Sequence, residues 1–234
     1  SLNQVVNTQV HIEKFKDFEK EIPTVKNYYK VDEDQETSAL IKNLSFKYFN
    51  SDTYIFKNLD LSIKKNEHTV ITGPNGSGKS TLLGLISGIF YPEEGTVSLS
   101  SNKIGYVGVT PLIINGTLNE NILYGNNRNI DEQEILDLLQ EFKLFNEESE
   151  IDLNMQVSNS TLSSGQMQKI SFIRSLLANS EILLLDESTS NLDIRTKQFI
   201  FEILNIRDIT IINSTHNHED FDYDNHLKIE VMED

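Results

Sequence analysis

The sequence predicts an α/β fold, and three stretches carry that prediction. His68-Thr69-Val70-Ile71-Thr72 is a short β-branched run that leads into the glycine-rich Gly73-Pro74-Asn75-Gly76-Ser77-Gly78-Lys79-Ser80-Thr81. Leu82, Leu83, Leu85, Ile86 and Ile89 then recur at helical spacing. Glu181-Ile182-Leu183-Leu184-Leu185-Asp186-Glu187 is a continuous apolar run ending in two carboxylates, the pattern of a parallel strand buried on both faces. Ile209-Thr210-Ile211-Ile212-Asn213-Ser214-Thr215-His216 is a second such run ending in a polar cluster.

The first stretch satisfies G-x-x-x-x-G-K-[ST], and a chance match in a chain this long is about a one-in-a-hundred event at ordinary glycine usage. A strand, a glycine loop and a helix are the context in which that spacing works. Gly73, Gly76 and Gly78 permit backbone angles that let successive N–H groups turn inward around a phosphate, and the following helix points its positive end at the same place. Lys79 is placed to reach β- and γ-phosphates, and the Ser80 hydroxyl to ligate Mg²⁺.

The remaining elements follow in order. Residues 1 to about 38 differ from the rest: Val6, Val10, Phe15, Phe18 and Ile22 form a loose helical stripe closed by Pro23, and an acidic run follows from Val31 to Thr37. This is either the cut edge of a longer polypeptide or a helix packing back on its own domain. From Ala39 the pattern is β. Leu40-Ile41, Leu44–Tyr48 and Tyr54-Ile55-Phe56 are broken by the turn-forming Asn50-Ser51-Asp52, and Leu59–Ile63 alternates as a half-buried strand does. With Gly95–Leu99 and Ile104–Val107, these predict an antiparallel sheet beside the loop. Leu118 to Phe145 reads as helical, with Ile130, Ile135, Leu138, Leu139, Phe142 and Leu144 on one face and Asp131 as N-cap. Met167, Ile170, Ile173, Leu176 and Leu177 mark another helix with serine caps, whose N-terminus is a second potential anion site made of uncapped N–H groups and small side chains.

Ligands gather at the carboxyl ends of parallel strands. Asp186 is therefore placed to hold Mg²⁺, directly or through water, and Glu187 to activate a water aimed at a γ-phosphate. His216, ending the other apolar run, is a better candidate for donating to a phosphate oxygen than His11, His68, His218 or His226.

Bulk properties narrow the partners. The 234 residues suffice for one large domain or two lobes sharing an edge. With 36 acidic against 20 basic residues the formal net charge is −16, which argues against nucleic acid and against adhesion to anionic lipid. There is no cysteine, which suits a reducing cytosol, and no apolar run long enough to span a bilayer. The polar opening residues do not read as a signal peptide.

Together these residues resemble the nucleotide-binding domain of ATP-binding cassette (ABC) transporters from Ala39 to the C-terminus. Gly73–Thr81 is similar to Walker A, and Ile182–Glu187 to Walker B with its catalytic glutamate. Leu162-Ser163-Ser164-Gly165-Gln166 resembles the LSGGQ signature, Ser190-Asn191-Leu192-Asp193 the D-loop, His216 the switch histidine and Tyr48 the aromatic that stacks on adenine. The resemblance implies a P-loop NTPase (RecA-like) core with an antiparallel β-subdomain and an α-helical signature subdomain at about 112–168. ATP and Mg²⁺ are the implied ligands. A second such domain, an identical chain in the simplest case, is the implied partner: head to tail, Leu162–Gln166 of one would complete the ATP site of the other. Gly116-Thr117-Leu118-Asn119-Glu120-Asn121-Ile122-Leu123-Tyr124-Gly125 looks like an exporter-type stretch. Residues 1–38 then fit the tail and linker of a preceding membrane domain, whose coupling helices would also touch the cassette, itself a soluble piece at the cytoplasmic face of a membrane.

The chain departs from the family in three places. Gly105-Tyr106-Val107-Gly108-Val109-Thr110-Pro111 stands where G-Y-V-P-Q-x-P is usual, so the glutamine that approaches Mg²⁺ and water is Val109. Ser164 replaces the signature's first glycine, and Val157 stands where glutamate is common in a loop expected to touch the coupling helices. The chain also ends soon after Val231, earlier than most exporters. The resemblance implies a hydrolysing motor. The substitution at Val109 keeps a slow ATP-binding clamp open as an alternative, alongside a cassette with non-transport work.

Overall fold

A computed structural model describes residues 28–33, 36–126, 128–145 and 151–230. The helical stripe expected from Val6 to Ile22 and its Pro23, and Val231, lie outside these residues.

The two apolar runs become the middle of a five-stranded parallel sheet. In chain order its strands are β4 (His68–Thr72), β6 (Ile104–Val107), β9 (Ile182–Asp186), β10 (Thr210–Ser214) and β11 (Asn225–Lys228). Their spatial order is β11-β4-β10-β9-β6, with every neighbouring pair parallel. Strand β9 shows why its sequence lacks alternation. Ile182 and Leu184 enter one core with Ile212, while Leu183 and Leu185 enter the other with Ile211, so both faces are apolar.

The second sheet holds β1 (Tyr29–Val31), β2 (Thr37–Phe46), β3 (Phe56–Lys64) and β5 (Glu94–Leu99), in the order β1-β5-β2-β3. β2 is antiparallel to both β3 and β5, whereas β1 runs parallel to β5, so the sheet is mixed at that edge. The segment expected as a linker thus contributes β1, and the hydroxyl of Tyr29 donates to Ile86 O at 3.0 Å. Two expected strands, Leu40-Ile41 and Leu44–Tyr48, are one: β2 bulges at Asn43, whose φ is 49°, and carries on. Tyr54 and Ile55 precede β3, which begins at Phe56.

One strand was expected in the wrong sheet. Ile104–Val107 does not extend the antiparallel sheet; it pairs with β9, Tyr106 opposite Leu184. A four-residue strand carries no signal for its neighbour, because hydrogen-bonded pairing is set by distant residues.

The helices are shorter than their apolar patterns. Helix α1 covers Lys79–Ile86 and Ile89 falls beyond it, exposed. The region from Leu118 holds two helices, α2 (Leu118–Ile122) and α3 (Glu132–Glu141), rather than one. Asp131 caps α3 as expected, accepting from the Gln133 amide at 3.1 Å. Ile135 and Leu139 are buried there, and so are Phe142 and Leu144 beyond its end. A two-stranded ladder of β7 (Gly116–Thr117) and β8 (Gln156–Val157) ties this lobe together, and Val157 is buried in it rather than presented at the surface. Helix α4 (Ser164–Leu177) packs under β6, and α5 (Ile194–Asn205) leads back to β10. Among the described residues, no helix is long and apolar enough to cross a membrane.

Candidate nucleotide site

Gly73–Thr81 links the carboxyl end of β4 to α1, so the loop's amides and the helix N-terminus face one spot. Two glycines are sterically required. A Cβ on Gly73 would lie 2.3 Å from Ile229 O, and one on Gly78, where φ is 99°, would lie 2.6 Å from the Ile55 side chain. Lys79 is buried, and its ammonium donates to Gly73 O at 2.9 Å and Pro74 O at 3.1 Å. It therefore sits folded into the loop, bridging carbonyls that an incoming phosphate would replace. The Ser77 hydroxyl is buried with no hydrogen-bond partner among the described residues, a polar atom in want of one at the heart of the loop.

The parallel register brings distant residues to this loop. β9 lies two strands from β4, with β10 between, and ends on Asp186. The Ser80 hydroxyl donates to Asp186 Oδ1 at 2.9 Å. The other oxygen, Oδ2, accepts from the Tyr106 hydroxyl at 2.8 Å. Tyr106 was not among the residues singled out as a candidate. The misassigned sheet concealed it, since only β6 beside β9 puts its hydroxyl within reach. Burial and the carboxylate of Asp186 both raise its phenol pKa well above the usual range.

Glu187 follows Asp186 with φ 49°, a left-handed conformation that costs a non-glycine residue about 1 kcal/mol. Two backbone bonds hold it there: its amide donates to Ser214 O at 2.9 Å, and its carbonyl accepts from the Ser190 amide at 3.0 Å. The distortion turns its carboxylate toward β10's end, where Oε1 lies 3.0 Å from His216 Nε2. Two candidates 29 positions apart in sequence are thus brought into contact at the strand ends, a pairing the sequence did not announce.

Other expected residues lie elsewhere or are engaged differently. Tyr48, 43% exposed, shares a hydrogen bond of 2.7 Å with Thr81 Oγ1, and its ring meets Phe46 and Phe90 edge-on at 5.1 and 5.6 Å. The serine cap expected at the N-terminus of α4 is Ser163: its Oγ accepts from the Gln166 amide at 3.2 Å while Gln166 Oε1 accepts from the Ser163 amide at 2.9 Å. In this capping box the serine hydroxyl satisfies one helix donor, the Gln166 amide, and the glutamine side chain satisfies the Ser163 amide in return. Gln166 also donates to Leu144 O, Leu162 is buried, and Ser164 is exposed, so this segment is anchored within its own lobe. Asp193 caps α5 through Thr196, whose hydroxyl and amide hold its carboxyl below the usual range. Val109, 41% exposed, follows Gly108, whose carbonyl accepts from Gln168.

The ABC transporter family model matches residues 56–190. The lactococcin-A transport/processing ATP-binding protein LcnC of Lactococcus lactis is 36% identical over 178 residues, which cover 69% of this chain and 25% of that protein. The ATP-dependent permease MDL1 of Candida albicans is 35% identical over 75% of this chain and 29% of its own length. The chain therefore spans only about a quarter of the length of these relatives. The probable iron export ATP-binding protein FetA of Escherichia coli is 30% identical, with 81% of this chain covering 90% of it. A solved structure of a bacterial Atm1-family ABC exporter with ATP bound superposes with a TM-score of 0.82 at 24% identity, covering 99% of this chain and 44% of that one, which shows a shared fold. With the family matched over more than half its length, this chain belongs to the ABC transporter family as an ATP-binding domain.

Proposed function

We propose that this chain is the ATP-hydrolysing motor domain of an exporter, driving transport across a membrane through ATP-dependent dimerisation. One observation carries the reading: at the carboxyl ends of adjacent strands, the glycine loop, the Ser80–Asp186 pair at 2.9 Å and the Glu187–His216 pair at 3.0 Å converge. Binding and hydrolysis need just these groups, and one sheet supplies them all.

In this reading the amides of residues 73–81 surround the β- and γ-phosphates, and Lys79 releases Gly73 O and Pro74 O to neutralise them. Tyr48 offers its ring to adenine. Ser80 and Asp186 present hydroxyl and carboxylate oxygens, a donor set that fits Mg²⁺, whose remaining positions go to phosphates and water. When bound, Mg²⁺ supplies charge neutralisation at the phosphates. Glu187 orients and deprotonates the attacking water, while His216 holds Glu187 and donates to the γ-phosphate. The rigid, capped helix end at Leu162–Gln166, with Asp193, serves the ATP of a second copy arranged head to tail.

Residues 1–38 would join residues 39–234 to a membrane domain. Its coupling helices would bear on the groove of about 390 Å³ beside β6, where Leu112 and Tyr124 are exposed, at the cytoplasmic face. The names of the relatives, which speak of transport, permease and export, support this assignment.

Glu187→Gln tests it. The variant should bind ATP without turning it over and accumulate as a dimer in size-exclusion chromatography. A variant that stays monomeric while the wild-type chain hydrolyses ATP removes Glu187 from the role of base. A second reading, a slow clamp, is favoured by one observation: Val109 offers neither metal nor water a polar atom.

A further inference from the structure

We infer that Tyr106 is the positioning residue of the magnesium-binding carboxylate, holding Asp186 from the adjacent strand. The inference rests on the assignment of Ser80 and Asp186 to Mg²⁺ made above. The register explains the reach. Tyr106 stands opposite Leu184, two residues short of Asp186, an offset of about 6.6 Å along a strand. A tyrosine side chain spans that offset and ends in a donor, which meets Oδ2 at 2.8 Å. Phenylalanine has nearly the same length and ends in a C–H bond.

The two oxygens of Asp186 are divided between two hydroxyls: Ser80 takes Oδ1 and Tyr106 takes Oδ2. With Mg²⁺ present, Ser80 Oγ and Asp186 Oδ1 would hold it, and the Tyr106 hydroxyl on Oδ2 would keep the carboxylate in the orientation that presents Oδ1. Val109 is three residues further along the same segment, with an aliphatic side chain that cannot hydrogen-bond. Tyr106 is 42% exposed as a whole residue and is not among the buried residues of the core, although its phenol is partly desolvated.

The test is calorimetric titration of ATP into the 234-residue chain, once with EDTA and once with Mg²⁺, for wild type and Tyr106→Phe. Both proteins should bind ATP equally in EDTA and melt at the same temperature without nucleotide. The gain in affinity conferred by Mg²⁺ should be about three- to tenfold smaller in the variant, the loss of one charge-assisted hydrogen bond at a partly solvated site. An equal Mg²⁺ gain in both proteins overturns the inference and leaves the function proposed above standing. A variant weakened equally in EDTA, with a lowered melting temperature, also overturns it, since Tyr106 would then act through packing. A wild-type chain that gains nothing from Mg²⁺ overturns the metal assignment and the inference with it.

Discussion

Acidification should destabilise this domain through one buried histidine. His68 opens β4, is 4% exposed, and packs against the rings of Phe201 and Phe221, with centroids 5.0 and 5.5 Å away and planes within 20°, while those two rings stack on each other at 4.1 Å. Its Nδ1 lies 3.1 Å from the Asp222 carbonyl and its Nε2 3.3 Å from the Asn213 amide nitrogen, a pairing satisfied by the neutral ring with its proton on Nδ1. A second proton would face the Asn213 donor inside an aromatic stack. Burial accordingly lowers its pKa from 6.5 to about 4, against the smaller opposing effects of the Asp222 carbonyl and the Asp224 charge. A depressed folded-state pKa means that the stabilisation is complete above pH 6.5 and is lost as the pH falls toward 4. The shift corresponds to about 3 kcal/mol in total, of which about 2 kcal/mol is gone by pH 5. Urea unfolding between pH 4.5 and 7.5 measures this directly, with His68→Phe as reference. The variant is less stable at neutral pH, because Asn213 loses a partner, but it lacks this titration. The gap between the two curves should close by about 2 kcal/mol on going to pH 5. Parallel curves would show that His68 is not held neutral and that other groups govern acid unfolding.

Two further outcomes bear on the nucleotide site. Lys79→Ala should weaken ATP binding by about a hundredfold or more, because it removes a buried cation from the loop, and retained affinity in a calorimetric titration would undo the loop assignment. Val109→Gln, at an exposed position, should raise the steady-state ATPase rate severalfold with no change in melting temperature. An unchanged rate would mean that other groups or bound waters already supply what the glutamine would bring.

Much of this site was legible as text because its parts are local. A glycine loop between a strand and a helix, an aspartate capping α3, and a serine and glutamine three residues apart each depend on neighbours along the chain. The continuous apolar run of β9 likewise announced a strand covered on both faces, and the carboxylates at its end announced where a ligand would sit. Other elements left no trace. β1 and β11 have few buried side chains and sit at sheet edges, so their sequences lack alternation and they exist only through pairing with β5 and β4. The φ of 49° at Glu187 is imposed by bonds to Ser214 and Ser190 and has no counterpart in its residue type.

The amino-acid sequence by itself therefore nominated the chemistry: which loop would take phosphate, which carboxylates and which imidazole are candidates for the site, and that position 109 is valine. Tertiary structure alone decided who meets whom. Ser80 and Tyr106 reach Asp186 from α1 and β6, and Glu187 meets His216 across β9 and β10, because a parallel register between remote segments sets those distances. Residue spacing along a chain records contacts within a turn or a strand. Sheet order is settled by the burial of both faces of the whole sheet, and no single segment encodes it.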